Sequence, residues 1–281
     1  MLSHIDAEKV GIYFYQIDRK CRDDFSKGMI ISERDYVSRF TTFAMYPYGP
    51  FIKSPIFWIS QTLPQPIETK FGCDGVIVFR KGNLAKIGMF EAKWPRMDPT
   101  RCRTPWDDKK PKELHSRLSK ELQKQNPISS KVAIWEMFFN DLNVGVSKKD
   151  GFNSEVSACI WHDLAYYYWH KRIRGTGKVW YNRKESHLRT MLRYRKMLKS
   201  AINIKDILIE ILTCNKGIPF NIKTKKDDTY AFIELNNIEI PLPDQNYGNS
   251  EDITDFMKDN GFRQYAFIDL EDLLSFLNDK H

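Results

Sequence analysis

KFGCDGVIVFRKGNLAKIGMFEAKWPR, residues 70–96, has the pattern of two apolar strands joined by a tight turn. "GVIVF" has the β-branched, apolar character of a buried strand, "RKGN" contains the turn, and Pro95 ends the returning strand "AKIGMFEAKW". Both strands are expected to be central in a sheet. Three charged residues nevertheless lie at the far end of this hairpin, namely Asp74, Glu91 and Lys93.

The positions of these charges along the hairpin predict that they share one face. Side chains alternate between the two faces of a strand, so Glu91 and Lys93 point to one face and Ala92 to the other. A turn of two or four residues would place Asp74 opposite or diagonal to Glu91 on the same face, whereas a three-residue turn would separate them. With an even turn, two carboxylates and an ammonium lie within about 5 to 8 Å of one another.

Such a group of charges suits a divalent metal ion. Two adjacent carboxylates repel each other, and a cation between them allows both to stay ionised. Mg²⁺ prefers carboxylate oxygens, keeps several waters and accepts phosphate oxygens as further ligands. The ammonium of Lys93 could hold or deprotonate an attacking water and offset charge on the phosphate. The pattern therefore favours metal-assisted hydrolysis of a phosphodiester.

The arrangement of Asp74, Glu91 and Lys93 resembles the PD-(D/E)xK nuclease superfamily, which has the restriction-endonuclease-like fold. In that family an aspartate on one strand and an acidic-x-lysine triplet on the next bind one or two Mg²⁺ ions and cut nucleic acid. The resemblance covers residues 70–96. It extends over residues 30–165 if the family's order of helix, three strands, helix and strand is followed along the chain.

This resemblance implies site residues and a cofactor. Asp74, Glu91 and Lys93 would be catalytic, and Mg²⁺, for which Mn²⁺ could substitute, would be held by Asp74, Glu91 and the backbone carbonyl of Ala92. Cys73 stands where the family nominally has proline, a position that varies widely among its members. As an alternative, the same charges could be a cross-strand ion pair on an exposed hairpin face.

Two neighbouring segments could add to the site. Glu33 begins a predicted helix in "ISERDYVSRFTTFAMYPYG", which Ser32 would cap. Many members of the superfamily add an acid from the helix before the sheet, and the resemblance implies that Glu33 is this further metal ligand. The helix dipole alone would also favour an acid there. Many members of the superfamily also carry a polar residue, often glutamine, on the helix after the triplet, and the resemblance implies that Gln123 or Gln125 supports the metal ligands, with a solvated helix face as the alternative. Their segment, "KELHSRLSKELQKQ", and "SSKVAIWEMFFNDL" are expected to form a helix or a broken pair of helices, separated at Pro127.

The charge distribution predicts a polyanionic partner. Residues 1–200 carry 36 Lys and Arg against 21 Asp and Glu, whereas residues 201–281 carry 8 against 15. Residues 171–205 hold twelve basic side chains and one acid, Glu185. A solvated surface normally mixes both signs, so this segment favours contact with phosphate backbones. The candidate nucleic-acid-binding residues are Lys178, Arg183, Arg189, Arg193 and Lys196.

The rest of the composition excludes several classes of protein. The five cysteines are scattered without a CxxC pair, which argues against structural zinc and against a disulfide framework. No uncharged apolar run reaches the roughly 18 residues of a membrane span, and "MLSHIDAEKV" lacks the apolar core of a signal peptide. We expect a cytoplasmic protein with no membrane partner.

The sequence therefore predicts an α/β (α+β) protein. Residues 1–200 are expected to form a restriction-endonuclease-like core, with a mixed central β-sheet flanked by helices, and a basic helical region. Residues 201–281 are expected to form a small acidic appendage or subdomain, through which a homodimer or a partner protein could be bound.

The predicted function is a Mg²⁺-dependent DNA endonuclease in restriction or anti-phage defence, by analogy with the superfamily. The alternatives are a non-cleaving nucleic-acid-binding or assembly protein on the same fold, and an interaction protein whose basic face meets an acidic partner.

Overall fold

The computed structural model describes residues 1–49, 51–61, 70–94, 107, 113–139, 155–173, 203–224, 230–243 and 250–279. The α-helices in these segments are α1 His4–Ser26, α2 Glu33–Met45, α3 Arg117–Gln125, α4 His162–Tyr168, α5 Ile204–Leu212, α6 Ser250–Asn260 and α7 Leu270–Asn278. A 3₁₀-helix, Asn126–Ile128, follows α3, and a π-helical turn, Trp169–Ile173, follows α4. The strands are β1 Ile56–Ser60, β2 Gly75–Lys81, β3 Leu84–Lys93, β4 Ala133–Phe138, β5 Ala158–Trp161, β6 Phe220–Asn221, β7 Lys223–Thr224, β8 Ala231–Leu235, β9 Ile238–Pro241 and β10 Gln264–Asp269. None of the helices in these segments is long and apolar enough to cross a membrane.

The hairpin of β2 and β3 forms as the sequence predicts. Lys81 pairs with Leu84 across a two-residue turn, so the turn is even-numbered. Its first residue, Gly82, has φ of 55°, a conformation that suits glycine. At the other end of the hairpin, the last ladder pair joins Gly75 to Phe90. Asp74 precedes Gly75 and Glu91 follows Phe90, so these two charged residues are neighbours.

The hairpin lies inside a mixed sheet with the strand order β1-β10-β2-β3-β4-β5. β2 runs parallel to β10, β3 runs parallel to β4, and the other neighbours on this path are antiparallel. β6 adds a short antiparallel pairing to the start of β3. The chain passes through α3 between the parallel strands β3 and β4, as such connections require. The predicted α/β class with a mixed central sheet flanked by helices is confirmed.

Each face of the sheet is covered by helices or by the small sheet β7-β8-β9. One face packs against α1, α2, α5 and α7, and takes Ile77, Phe90 and Ala92 into that core. The opposite face packs against α6, β8 and β9, with α3 and α4 covering β4 and β5. Asp74, Glu91 and Lys93 point to this second face, because each lies an even number of positions from Val76 or Met89.

Two sequence predictions about this architecture are wrong. Residues 201–281 are not an appendage, because β10 lies between β1 and β2 in the central sheet. The excess of acidic residues in this part of the chain comes from exposed positions on α6 and α7, such as Asp252, Asp259 and Glu271, and does not mark a separate unit. The described part of "SSKVAIWEMFFNDL", which ends at residue 139, contains the strand β4 and not a helix, because pairing with β3 buries every residue of that strand.

Candidate active site

Hydrogen bonds of both its backbone and its side chain fix Asp74 beside the C-terminal end of β3. Its N–H donates to the carbonyl of Phe90 at 2.8 Å, and its own carbonyl accepts from the N–H of Arg263 at 2.8 Å and of Gln264 at 3.1 Å. Its carboxylate Oδ2 accepts from the N–H of Ala92 at 2.9 Å. The side chain thus extends the ladder beyond the last backbone pair, which leaves the carboxylate little freedom to move.

Lys93 joins two carboxylates from different elements. Its Nζ forms an ion pair with Glu91 on the same strand, and a second one with Oε2 of Glu121 at 2.7 Å. Glu121 lies on α3, where its other oxygen accepts from Nε of Arg117 at 2.8 Å. The side chains of Glu91 and Lys93 are almost fully buried, so these pairs are shielded from solvent.

Glu136 adds a further carboxylate that sequence reasoning missed. It is the Cα partner of Glu91 on the parallel strand β4 and is completely buried. Neither of its oxygens has a hydrogen-bond partner of normal distance and angle among the described residues, although the nearby amide of Gln125 lowers the pKa of its carboxyl. Burial raises the pKa of Glu136 to about 8, although Lys93 lowers it. A single acid inside the apolar run "AIWEMF" is the signal that could have identified it.

The cluster therefore holds more acid than its buried cation can keep ionised. Burial, Asp74 and Glu121 raise the pKa of Glu91 well above its ordinary value. Burial alone would lower the pKa of Lys93, but Glu121, Glu91 and Asp74 raise it well above its ordinary value. Lys93 thus stays positively charged, whereas Glu91 and Glu136 retain protons above the usual pH for carboxyl groups. Another cation in contact with these carboxylates would favour their ionised forms.

Glu33 lies at the margin of this cluster, in the first turn of α2, which Ser32 caps as predicted. Its Oε1 is 3.8 Å from Nη1 of Arg263, and the same nitrogen is 3.5 Å from Oδ1 of Asp74. Burial and the charge of Asp74 raise the pKa of Glu33 to about 7. The structure thus brings Glu33 towards Asp74 through a shared arginine.

The two glutamines of α3 differ in their surroundings. Gln125 is fully buried; its Nε2 donates to the carbonyl of Gly72 at 2.7 Å and its Oε1 lies 2.6 Å from Nδ1 of His162. It therefore ties α3 to the loop that precedes Asp74. Gln123 is exposed and donates to the carbonyl of Ser119 within its own helix, so the structure does not bring Gln123 to the site.

The site fits a divalent ion by its donor set, but its present contacts centre on Lys93. Among the described residues, no three His, Cys, Asp or Glu side chains are arranged to hold a metal ion. Hard carboxylate oxygens are nevertheless the ligands that Mg²⁺ prefers, and the buried carboxyl group of Glu136 lies beside Glu91. The predicted phosphate-binding residues lie outside the described part of the chain: Lys178, Arg183, Arg189, Arg193 and Lys196.

Comparisons with known proteins add no relative. The chain matches no protein-family model, no curated protein and no solved structure. The functional argument is therefore built on the site itself.

Proposed function

We propose that the protein is a metal-dependent nuclease that hydrolyses phosphodiester bonds. The observation that carries this proposal is the juxtaposition of Asp74, Glu91 and Lys93 on one face of the central hairpin. The succession of α2, β1, β2, β3, α3 and β4 along the chain also follows the order that the PD-(D/E)xK resemblance implies. The insertion of β10 between β1 and β2 is an addition to that order.

Asp74, Glu91 and the carbonyl of Ala92 would hold the Mg²⁺ ion, with Glu33 as a further candidate ligand. When bound, Mg²⁺ would supply an acidified water and stabilise negative charge on the phosphate. A cation bound at Glu91 would favour the ionised form of the neighbouring Glu136, and the negative charge that Glu136 then carries would strengthen the binding of that cation.

Lys93 would orient the attacking water and offset charge on the phosphate. Its raised pKa keeps the side chain protonated, so its three N–H groups are donors and it is poorly suited to accept a proton. This favours the orienting role over deprotonation of the water by Lys93. Glu91 and Glu121 fix the ammonium in place, which reduces the reorganisation needed when charge develops.

The substrate we propose is DNA, and the role is restriction or anti-phage defence in the cytoplasm. The basic segment 171–205 would contact the phosphate backbone. The step from nuclease chemistry to defence is an analogy with the superfamily.

A second candidate function is a non-cleaving nucleic-acid-binding or assembly protein. It is favoured by one observation: Lys93 already pairs with both Glu91 and Glu121, as a structural ion cluster would. Cleavage separates the two candidates, because only the first requires the carboxylate of Asp74 to act on substrate.

The test is cleavage of plasmid DNA, linear duplex, single-stranded DNA and RNA by the purified protein with Mg²⁺, Mn²⁺ or EDTA. We expect cutting with either metal and none with EDTA. Asp74→Asn keeps an oxygen that can accept from the N–H of Ala92 but removes the charge, and it should abolish cutting. Asp269→Asn is the matched control, since Asp269 lies at the opposite end of the adjacent strand β10. Full activity of Asp74→Asn, or no metal-dependent cutting by the wild type, would contradict the proposal.

A further inference from the structure

The buried ion network ends in an arginine on each side. From Lys93, contacts run through Glu121 to Arg117 on α3. At the other end, Asp74 contacts Arg263, which directly precedes β10. The side chains of Arg117 and Arg263 are 49% and 40% exposed, whereas that of Lys93 is 7% exposed. An anionic molecule that approaches the cluster from solvent would therefore meet these two guanidinium groups first.

Arg263 is placed beside Asp74 by strand register. Gln264 pairs with Gly75 in the parallel ladder of β10 and β2, so the residues before each of them are neighbours as well. The N–H of Arg263 donates to the carbonyl of Asp74 at 2.8 Å, which fixes the backbone at this point. The position of this guanidinium is thus a consequence of the insertion of β10 into the sheet.

Among the described residues, the contacts of the two arginines leave N–H donors available for a ligand. Nη1 of Arg263 lies 3.5 Å from Asp74 and 3.8 Å from Glu33, distances longer than those of strong charge-assisted hydrogen bonds. Arg117 reaches Glu121 through Nε. A guanidinium has five N–H donors in a planar fork that matches the oxygens of a phosphate. Neither arginine needs to give up its carboxylate in order to contact a phosphate.

We propose that Arg117 and Arg263 bind backbone phosphates of the nucleic acid on the two sides of the carboxylate cluster. The inference rests on the proposed function and deepens it, because it places substrate contacts in residues outside the basic segment 171–205. Each guanidinium attracts a phosphate of the substrate strand and also screens that phosphate from the negative charge of the carboxylate cluster. Without them, the carboxylates of Asp74 and Glu121 would repel a phosphate at close range.

The structure offers a matched control on the same two strands. Arg80 of β2 forms an ion pair with Asp269 of β10 at 2.6 Å, and its side chain is 36% exposed. This pair joins the same strands as Arg263 and Asp74, but lies six residues further along β2, which is about 20 Å away. Substitution of Arg80 therefore removes a similar ion pair without touching the candidate site.

The experiment measures binding of fluorescent duplex and single-stranded oligonucleotides in EDTA over a range of salt concentrations. We expect Arg263→Gln and Arg117→Gln each to weaken binding. Each should flatten the plot of log affinity against log salt by about 0.9 for duplex or 0.7 for single strands. Arg80→Gln should match the wild type, and Arg263→Lys should keep the wild-type slope because it keeps the charge. Thermal unfolding of each variant checks that it is folded.

The inference is overturned if the Arg117 and Arg263 variants, once shown to be folded, bind with the affinity and salt slope of Arg80→Gln. Cleavage by the wild-type protein is measured separately with Mg²⁺, so the two hypotheses can fail independently. Cutting by the wild type with unchanged binding in the variants would refute the inference alone. Weakened binding in the variants without any cutting by the wild type would refute the nuclease proposal alone.

Discussion

Glu91 and Glu136 are Cα partners on the parallel strands β3 and β4, and both side chains are buried. Like charges at paired positions of a sheet are unfavourable, and burial adds a desolvation cost. Lys93 contacts Glu91, whereas Glu136 has no hydrogen-bond partner of normal distance and angle among the described residues. Clustered acids with raised pKa values are typical of functional sites, which is why we place the chemistry here.

Replacement of Glu136 by glutamine should change how stability depends on pH. Burial raises the folded-state pKa of Glu136 to about 8, whereas the unfolded chain loses this proton near pH 4.3. Between these values the folded protein binds more protons, so this group makes the free energy of unfolding fall as pH rises, by up to about 1.4 kcal/mol per unit. Glu136→Gln has no carboxyl group to titrate at this position. The free energy of unfolding of the variant minus that of the wild type should therefore increase by about 3 kcal/mol from pH 5 to pH 8.

The measurement is chemical unfolding of both proteins in EDTA at several pH values. Glu251→Gln is the control, because it makes the same chemical change at an exposed position of α6. Parallel pH profiles for the wild type and Glu136→Gln would show that Glu136 is ionised in the folded protein over the whole range.

Replacement of Lys93 by methionine should lower both stability and cleavage. The change leaves Glu91 and Glu121 buried without their ammonium partner, and loss of one member of a buried pair costs about 3 to 5 kcal/mol. Mg²⁺ should restore part of this loss in Lys93→Met and raise its melting temperature more than that of the wild type. Single-turnover cleavage should fall by orders of magnitude while DNA binding is kept.

A double variant separates the two effects of Lys93. Lys93→Met combined with Glu91→Gln removes the carboxylate that Lys93 leaves uncompensated, since Glu121 keeps its ion pair with Arg117, so the double variant should be more stable than Lys93→Met alone. Its cleavage should stay low, because the group that orients the water is still missing. Wild-type cleavage rates in Lys93→Met, measured on folded protein, would exclude a role for this side chain in the reaction.

The hairpin end of this site could be predicted from sequence because its determinants are local. The two-residue turn at Gly82 sets the register, and the period of two then sets which face Asp74, Glu91 and Lys93 share. Nothing beyond the 20 consecutive residues from Asp74 to Lys93 is needed for that step. The predicted helix after Ser32 has the same local character, since its cap and apolar stripe lie within one segment.

Glu121 and Glu136 could not be predicted in the same way, because pairing distant in sequence brings them to the site. A continuous apolar run such as "VAIWEMFF" fits a buried strand or a buried helix equally well, and only the pairing of β3 with β4 distinguishes them. The place of β10 likewise depends on a partner nearly 190 residues earlier, Gly75 for Gln264. Charge composition reports which surfaces are exposed and carries no information about strand order.

Replacement of Asp74 by alanine should cost stability that replacement by asparagine does not. Oδ2 of Asp74 accepts from the buried N–H of Ala92, and an unpaired buried donor costs about 1 to 3 kcal/mol. Asparagine can still accept this hydrogen bond. Thermal unfolding should therefore rank Asp74→Ala below Asp74→Asn, while both lack cleavage. Equal stability of the two variants would show that the contact with Ala92 contributes little.

Replacement of Gly72 by alanine should damage the site through α3, and Gly82 offers the matched control. Both glycines have positive φ, 67° and 55°, so alanine at either one costs about 1 to 2 kcal/mol of backbone strain. A Cβ at Gly72 would also lie 2.5 Å from the carbonyl oxygen of Glu121, whereas nothing lies within 4 Å at Gly82. The same Gly72 accepts from the side chain of Gln125, so α3 cannot move away without breaking that bond.

Gly82→Ala should lose only the strain energy and keep full cleavage. Gly72→Ala should be less stable than Gly82→Ala and lose most of its cleavage, because the displaced Glu121 no longer holds Lys93. Unfolding midpoints and single-turnover rates for the pair test this, and equal losses in the two variants would show that the approach of α3 to Gly72 does not position the site.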